Sequence, residues 1–393
     1  MYSFQFDFTS DIWILFGCAL FLMIPMAWLF LMPAVRVSRT IKKTTRNDEY
    51  DAASQQPVSV IVFSGDDAEG LRHLLPAILG QDYRAPFEVI VVNEGSSDAT
   101  AEVVGRLRQI HDNLYLTYTP DGARQLSRKK LALMIGIKAA RFPIVVHTTS
   151  SARIESDQWL GRMTAPFSND STEVVIGACA PESSLDKGFG RRYRCFNDAA
   201  DTVIWLNAAL TGHPYRGTEN NIAYTRDAFF RNRGFSKSLN LKSGDDDIFV
   251  NEISNSGNTA VVLHPDAIVS RKAFNVPRAY RERRSRYIFT GRHIPRTPRY
   301  IFAFGIVLLW CVIALSVLAA VLCWPNLAGV AIAAFICLTA IVTASCIWRR
   351  TLKLLSRKSL LFSLPYVMLT RPFANAVAFL KSIRGKKYNY TWN

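Results

Sequence analysis

Three long apolar stretches dominate the hydrophobicity pattern of the chain. They run from Ile12 to Met32, from Ile301 to Cys323 and from Leu327 to Trp348, and none contains a charged residue. A helix needs about 20 apolar residues to cross the hydrocarbon core of a bilayer, so each stretch predicts a transmembrane helix. Because only residues 324–326 separate the last two, we expect a tight helical hairpin. A cleaved signal peptide is disfavoured at the N-terminus, since no basic region precedes the first stretch.

Between the first two apolar stretches, strand patterns alternate with helix patterns. Short apolar, β-branched runs predict buried strands at 58–63, 87–92, 114–118 and 144–147. Apolar residues at helical spacing predict helices at 71–79, 99–110 and 129–140. Strands that alternate with helices form a mostly parallel sheet, and ligands bind at the carboxyl ends of its strands. The sequence therefore predicts an α/β domain.

The C-terminal region continues the apolar pattern less regularly. Residues 359–380 are interrupted by Pro365, Arg371 and Pro372. We interpret them as an interfacial or re-entrant helix, because a fourth span would carry the basic residues at 381–387 across the membrane. The predicted divisions are an N-terminal transmembrane helix (1–35), a basic cytoplasmic linker (36–56), the α/β domain (57–275), a basic juxtamembrane segment (276–300), a transmembrane hairpin (301–348) and a basic or interfacial C-terminal segment (349–393).

The basic residues lie at one end of each apolar stretch. The net charge is +16, yet residues 1–11 contain no Lys or Arg, whereas 276–300 contain eight arginines. By the positive-inside rule the α/β domain faces the cytoplasm, and the chain is a multi-pass protein of the cytoplasmic (inner) membrane. We predict no nucleic-acid partner, since no recognised binding module accompanies the charge. The seven cysteines show no CxxC spacing, which argues against a zinc site or a disulfide scaffold.

Four segments of the α/β domain resemble the family 2 glycosyltransferases. They are VSVIVFSGDDAEGL at 58–71, GQDY at 80–83, EVIVVNEGSSDAT at 88–100 and SRKKLALMIGIKAA at 127–140. The resemblance implies a GT-A fold and a nucleotide-sugar donor, for which we expect a UDP-sugar. The residues that it implies for nucleotide-sugar binding are Ser64, Asp66, Asn93, Glu94, Ser97 and Lys129. Taken alone, the loop at 93–98 is more typical of a turn with a helix cap than of a nucleotide site.

The resemblance is weakest after the fourth predicted strand. The family has a DxD motif there, two carboxylates that hold Mg²⁺ or Mn²⁺ on the donor diphosphate. Alignment on Ser156 and Trp159 places these carboxylates at Thr149 and Ser151, which are neutral. We therefore expect the site for Mg²⁺ or Mn²⁺ to be weakened or absent.

An acidic run at 243–249, SGDDDIF, resembles the motif that supplies the family's catalytic base. The resemblance implies that Asp246 takes the proton of the acceptor hydroxyl and that Asp245 orients it. The alternative is an acidic cap at a helix N-terminus, and the two can coexist. Upstream, 219–221 reads ENN where the family's acceptor side has Gly-Arg-Asn.

The run RRSRY at 283–287 resembles the family's QxxRW motif. The resemblance implies that Arg283, Arg286 and Tyr287 contact the diphosphate or the acceptor. A basic juxtamembrane helix that binds anionic lipid is the alternative.

Two functions remain open at this point. The first is an inverting membrane-bound glycosyltransferase that acts on a membrane lipid, a lipid-linked sugar or a polysaccharide acceptor in envelope glycan synthesis. The second is a catalytically impaired, glycosyltransferase-like scaffold or regulator in an envelope-assembly complex. Thr149 and Ser151 favour the second, whereas Asp245, Asp246 and Arg286 favour the first.

Overall fold

A computed structural model describes most of the chain. It covers residues 8–46, 55–119, 127–181, 189–241, 243–271, 277–294 and 297–356, with scattered residues between 366 and 380. Most of the helix predicted at 359–380, and all of 381–393, lie outside the described residues.

A mixed sheet of seven strands forms the centre of the α/β domain, in the order β3-β2-β1-β4-β8-β6-β9. The strands of the described chain are β1 (Val58–Ser64), β2 (Phe87–Asn93), β3 (Leu114–Tyr118), β4 (Ile144–Thr149), β5 (Ala152–Arg153), β6 (Val174–Gly177), β7 (Cys179–Pro181), β8 (Ile222–Thr225), β9 (Thr259–Val262) and β10 (Val269–Arg271). Strand β8 is antiparallel to both its neighbours, and the other pairs are parallel. The four predicted strands are thus the parallel half of this sheet, and β5, β10 and β7 form a small second sheet.

Helices cover both faces of the sheet and extend into the membrane region. The α-helices of the described chain are α1 (Ser10–Met26), α2 (Met32–Arg46), α3 (Ala68–Leu79), α4 (Thr100–Arg108), α5 (Arg128–Ala139), α6 (Trp159–Thr164), α7 (Phe189–Leu210), α8 (Arg226–Arg231), α9 (Ile248–Ile253), α10 (Pro277–Thr290), α11 (Thr297–Cys323) and α12 (Leu327–Ser356). Helix α3 begins three residues before its predicted start, because the side chain of Asp67 caps it by accepting from the backbone N–H of Gly70 at 3.0 Å.

The period of two along β1 divides the core into two layers. Val60 and Val62 face the layer that contains α3, α4 and α6, whereas Ile61 faces the layer that contains α5 and α7. The second layer continues without a break into the apolar helices. Both faces of the sheet are therefore buried, and its functional groups can reach solvent only at the strand ends.

Three helices are long and apolar enough to cross a membrane among the residues described: Ser10–Arg46, Ala303–Cys323 and Leu327–Leu355. Pro25 removes one backbone donor in the first, and a short π-helix, Ala27–Leu31, follows it. Residues 36–46, which the sequence suggests as a linker, continue this helix as α2. There Arg36 donates to the Asn207 side chain of α7 at 2.5 Å, so the first span ends against the α/β domain.

Candidate active site

The loops after β1 and β2 meet at the carboxyl edge of the sheet and bind each other. The Asp66 carboxylate accepts from the backbone N–H of Ser97 at 2.8 Å, and Ser96 accepts from the backbone N–H of Asp66 at 3.0 Å. The side chain of Asn93 accepts from the N–H groups of Gly95 and Ser96 at 3.0 and 2.7 Å, which an amide oxygen does as well as a carboxylate. Three of the predicted nucleotide contacts thus also shape their own loops.

Glu94 and Ser64 complete this edge. Burial raises the pKa of Glu94, while the charges of Arg128 and Lys129 act in the opposite direction. The buried hydroxyl of Ser64 has no hydrogen-bond partner within the described part of the chain. Arg128 lies against Gly95, 2.7 Å from the position that a Cβ would take. Arg128 directly precedes Lys129 in the chain but was not among the predicted site residues.

Thr149 and Ser151, at the predicted DxD positions, form a polar group with Asn220 in which the hydrogen bonds run between the three side chains. Their hydroxyls are 2.8 Å apart, and the Asn220 side-chain amide nitrogen donates to Thr149 at 2.7 Å and to Ser151 at 3.0 Å. The segment 219–221, which the sequence assigns to the acceptor side, therefore reaches the predicted DxD positions. An amide donor at the centre of two hydroxyls opposes a cation, so these residues do not fit a divalent metal.

The ammonium group of Lys129 is a cation at this edge of the sheet. It forms ion pairs with Glu219 and, at 2.6 Å, with Asp245, and it lies 5.2 Å from the centre of the Phe63 ring. Burial alone would lower the pKa of Lys129, but the charges of Asp245 and Glu219 outweigh it and raise the pKa. The ammonium therefore stays charged.

A glycine in a left-handed conformation precedes the acidic run. Gly244 has φ +117°, which an L side chain rarely adopts. Asp247 caps α9 by accepting from the backbone N–H of Ile248 at 2.7 Å, and its other oxygen accepts from the hydroxyl of Thr290. The capping interpretation of this run thus applies to Asp247.

Asp246 has a different environment and a different acidity. Its carboxylate accepts from the hydroxyl of Tyr287 at 3.0 Å. Burial, with the charges of Asp247 and Asp245, raises the pKa of Asp246 to about 7. A carboxyl with this pKa exchanges protons near neutrality, as a general base must.

Two arginines surround Tyr287. The guanidinium of Arg216 lies 3.3 Å from the ring centre, and Arg283 donates to the Tyr287 hydroxyl at 3.0 Å. Arg286, in contrast, is exposed and pairs with Glu282 at 2.5 Å. The structure brings Arg283 and Tyr287 to Asp246 but leaves Arg286 outside this group. Arg216 was not among the predicted site residues, although the segment 213–217 that contains it resembles the family's acceptor side.

Lys130 and His147 are both buried next to the residues of this site. The Lys130 ammonium donates to the carbonyls of Ser238 and Ser243 at 2.6 and 2.8 Å, which fixes the start of the acidic run. Burial lowers the pKa of Lys130 to about 8 and that of His147 to about 4. Over the described ranges, no three His, Cys, Asp or Glu side chains are arranged to hold a metal ion.

Comparison with known proteins shows which family the α/β domain is similar to. Residues 59–238 match the family model described as Glycosyl transferase family 2. Glycosyltransferase AglE of Haloferax volcanii is 26% identical over 121 residues, which are 30% of this chain and 38% of that protein. The chain thus spans well under half the length of this curated relative.

A solved structure extends the likeness to the apolar helices. It is the mannosyltransferase PcManGT from Pyrobaculum calidifontis in complex with GDP-Man and Mn²⁺. The TM-score is 0.55 at 19% identity, and the match covers 93% of this chain and 99% of that one. At this identity the comparison concerns the fold alone, which is the GT-A fold that the sequence predicts.

Proposed function

We propose that this chain, which contains a family 2 glycosyltransferase domain over residues 59–238, is a membrane-bound inverting glycosyltransferase. It takes a sugar from a nucleotide sugar, in the first place a UDP-sugar, and transfers it to an acceptor held at the membrane. The acceptor is a membrane lipid, a lipid-linked sugar or a growing polysaccharide, and the product belongs to an envelope glycan. The α/β domain faces the cytoplasm, where nucleotide sugars are made.

The observation that carries this proposal is the environment of Asp246. It is buried beside Tyr287, has a pKa of about 7, and follows Asp245, which is paired with Lys129 at the nucleotide edge. In the reaction the acceptor hydroxyl gives its proton to Asp246 as its oxygen bonds to the anomeric carbon. The bond from that carbon to the phosphate oxygen breaks, and the nucleoside diphosphate leaves from the opposite side. The configuration at the anomeric carbon is therefore inverted.

A second candidate is a glycosyltransferase-like scaffold or regulator in an envelope-assembly complex. The polar group of Thr149, Ser151 and Asn220 favours it, since the family's metal ligands are replaced. Against it, the chain retains a base, its hydrogen-bond donor and a cation at the diphosphate edge.

The test is the release of nucleoside diphosphate by membranes that contain the overproduced full chain. UDP-sugars and GDP-sugars are supplied one at a time, and release is compared with membranes that contain Asp246→Asn. If only the wild-type membranes release nucleoside diphosphate, and only from one class of donor, the result supports a glycosyltransferase. Equal release from both membranes for every donor contradicts it and leaves the scaffold.

A further inference from the structure

We propose that the ammonium of Lys129 supplies, in this chain, the positive charge that a divalent metal supplies at the DxD site of the family. Donor binding would then need no metal. The inference rests on the proposed function, because it concerns how the same site holds the diphosphate of a nucleotide sugar.

The predicted DxD positions of this chain are closed to a cation. Both hydroxyls are already hydrogen-bonded to each other and to the Asn220 amide nitrogen, at 2.7 to 3.0 Å. All three groups are neutral; Thr149 and Asn220 are buried and Ser151 is half-buried. Mg²⁺ and Mn²⁺ bind through carboxylates and other oxygens that are free to coordinate. A metal would have to displace an N–H donor here without gaining a charged ligand.

The ammonium of Lys129 lies at the same carboxyl edge of the sheet as Thr149. Lys129 lies over the ring of Phe63, and Phe63 is the Cα partner of Thr149 across β1 and β4. Independently, the ion-pair partner Glu219 directly precedes Asn220, which contacts both hydroxyls. The two connections bring the cation to the ends of β1 and β4, where the family holds its metal.

The Lys129 ammonium has more N–H donors than its two carboxylate partners require. An ammonium has three N–H groups; Glu219 accepts a hydrogen bond from one of them, and Asp245 forms an ion pair with the same nitrogen at 2.6 Å, so at least one N–H remains. The side chain is 17% exposed, so the remaining N–H can reach a phosphate oxygen. The two carboxylates hold the ammonium in place, and Arg128 adds a second cation beside the loop after β2.

The experiment is isothermal titration calorimetry of UDP and GDP with the detergent-purified full chain, in EDTA and in Mn²⁺. Because Lys129→Met alone would leave Asp245 unpaired and buried, the informative comparison is Asp245→Asn against Lys129→Met/Asp245→Asn. The Asp245→Asn variant, which lacks one carboxylate, should bind the nucleotide as tightly as the wild type or more tightly. Removing the ammonium as well should weaken it about 10- to 100-fold, as expected for a hydrogen bond to a charged group. Lys138→Met, on the exposed side of α5, is the matched control and should bind like the wild type.

The expected result is a wild-type affinity that is the same, within about twofold, in EDTA and in Mn²⁺. A wild type that binds nucleotide only with Mn²⁺ overturns this inference and leaves the proposed function standing. Equal affinity of the double variant and Asp245→Asn also overturns it. A wild type that binds neither nucleotide in either condition removes the proposed function itself.

Discussion

At the scale of single residues, Asn220 determines the chemistry of the predicted DxD positions, because its side-chain amide donates to the hydroxyls of both Thr149 and Ser151. The replacement of the DxD carboxylates by Thr149 and Ser151 is visible from alignment within one segment. The hydrogen bonds from Asn220 to both hydroxyls are not visible in such an alignment. Asn220 lies about 70 positions away in the sequence and reaches the hydroxyls only through the pairing of β8 with β4. Likewise, the sequence identifies Tyr287 as a candidate site residue, but the hydrogen bond of its hydroxyl to Asp246 depends on how α10 packs.

Replacing Thr149 and Ser151 by aspartates tests whether their surroundings can still hold a divalent metal. Thr149→Asp/Ser151→Asp places two like charges together in a buried site, at a cost on the order of 1–3 kcal/mol. We expect the melting temperature in EDTA to fall by about 2–10 °C. Mn²⁺ should restore it by binding the folded state. Ser168→Asp/Ser171→Asp, both exposed, is the control, and a variant that Mn²⁺ leaves unstable would show that the pocket no longer accepts a metal.

The hydroxyl of Tyr287 should set the pH dependence of transfer. It donates to Asp246 and so stabilises the charged carboxylate, which means that Tyr287→Phe raises the pKa of Asp246 further. The base must be deprotonated, so kcat/KM should rise with pH through about 7 in the wild type and at higher pH in the variant. Tyr280→Phe, whose hydroxyl contacts Arg284 instead, should keep the wild-type profile. Identical profiles for Tyr287→Phe and the wild type would contradict this role.

At the scale of elements, the helices and strands of the nucleotide-binding half follow from local patterns. The first four strands begin where their apolar runs begin, and the cap at Asp67 explains the one helix start that differs from its prediction by more than one residue. The antiparallel strand β8 and the second sheet were not predicted, since their strands are only two to four residues long and carry no clear period. The continuation of the first span into α2 was also missed, because its basic residues suggest a linker when its contact with α7 is unknown.

The close packing of the first and second spans makes a prediction for one glycine. A Cβ at Gly305 would lie 2.9 Å from both the Leu29 Cβ and the Phe30 backbone nitrogen, whereas one at Gly17 would meet nothing within 4 Å. Small residues let membrane helices approach in this way. We expect Gly305→Leu to lower the melting temperature and the yield of monodisperse protein in detergent, while Gly17→Leu behaves like the wild type. Equal behaviour of the two variants would mean that these spans do not pack as described.

At the scale of the whole molecule, the spans and the site constrain each other. The first span reaches α7 through Arg36 and Asn207, and α10, which carries Tyr287, lies just before the second span. Asp246, which is bonded to Tyr287, is therefore held close to the membrane end of the domain, where the proposed acceptor would be anchored. Hydropathy predicts the spans, but this connection depends on tertiary contacts that no local pattern encodes.

The topology can be tested with a reporter fused after Asn393. The basic residues at 381–387 should not cross the membrane, so the reporter should be active in the cytoplasm. A reporter fused in the turn at 324–326 should read from the opposite side. Activity of the C-terminal fusion on the outer side would show that 359–380 crosses and that there are more than three spans.

The catalytic role of Asp246 requires a variant that folds. The pKa of this carboxyl is about 7 in the folded protein, above the usual 3.8, so the folded state binds more protons between these values. Asp246 therefore destabilises the fold as pH rises through this window. Asp246→Asn should be at least as stable as the wild type at pH 8, and a loss of transfer cannot then be ascribed to unfolding.

The most direct measurement is incorporation of radiolabelled sugar from a nucleotide sugar into the lipid and polymer fractions of membranes that contain equal amounts of folded wild type or Asp246→Asn. We predict that the variant still binds the donor nucleotide but transfers about 10²- to 10⁴-fold more slowly, the usual contribution of a general base. Asp227→Asn, an exposed carboxylate paired with Arg231, should transfer like the wild type. Equal incorporation by Asp246→Asn and the wild type would contradict the account of this protein as a glycosyltransferase with Asp246 as its base.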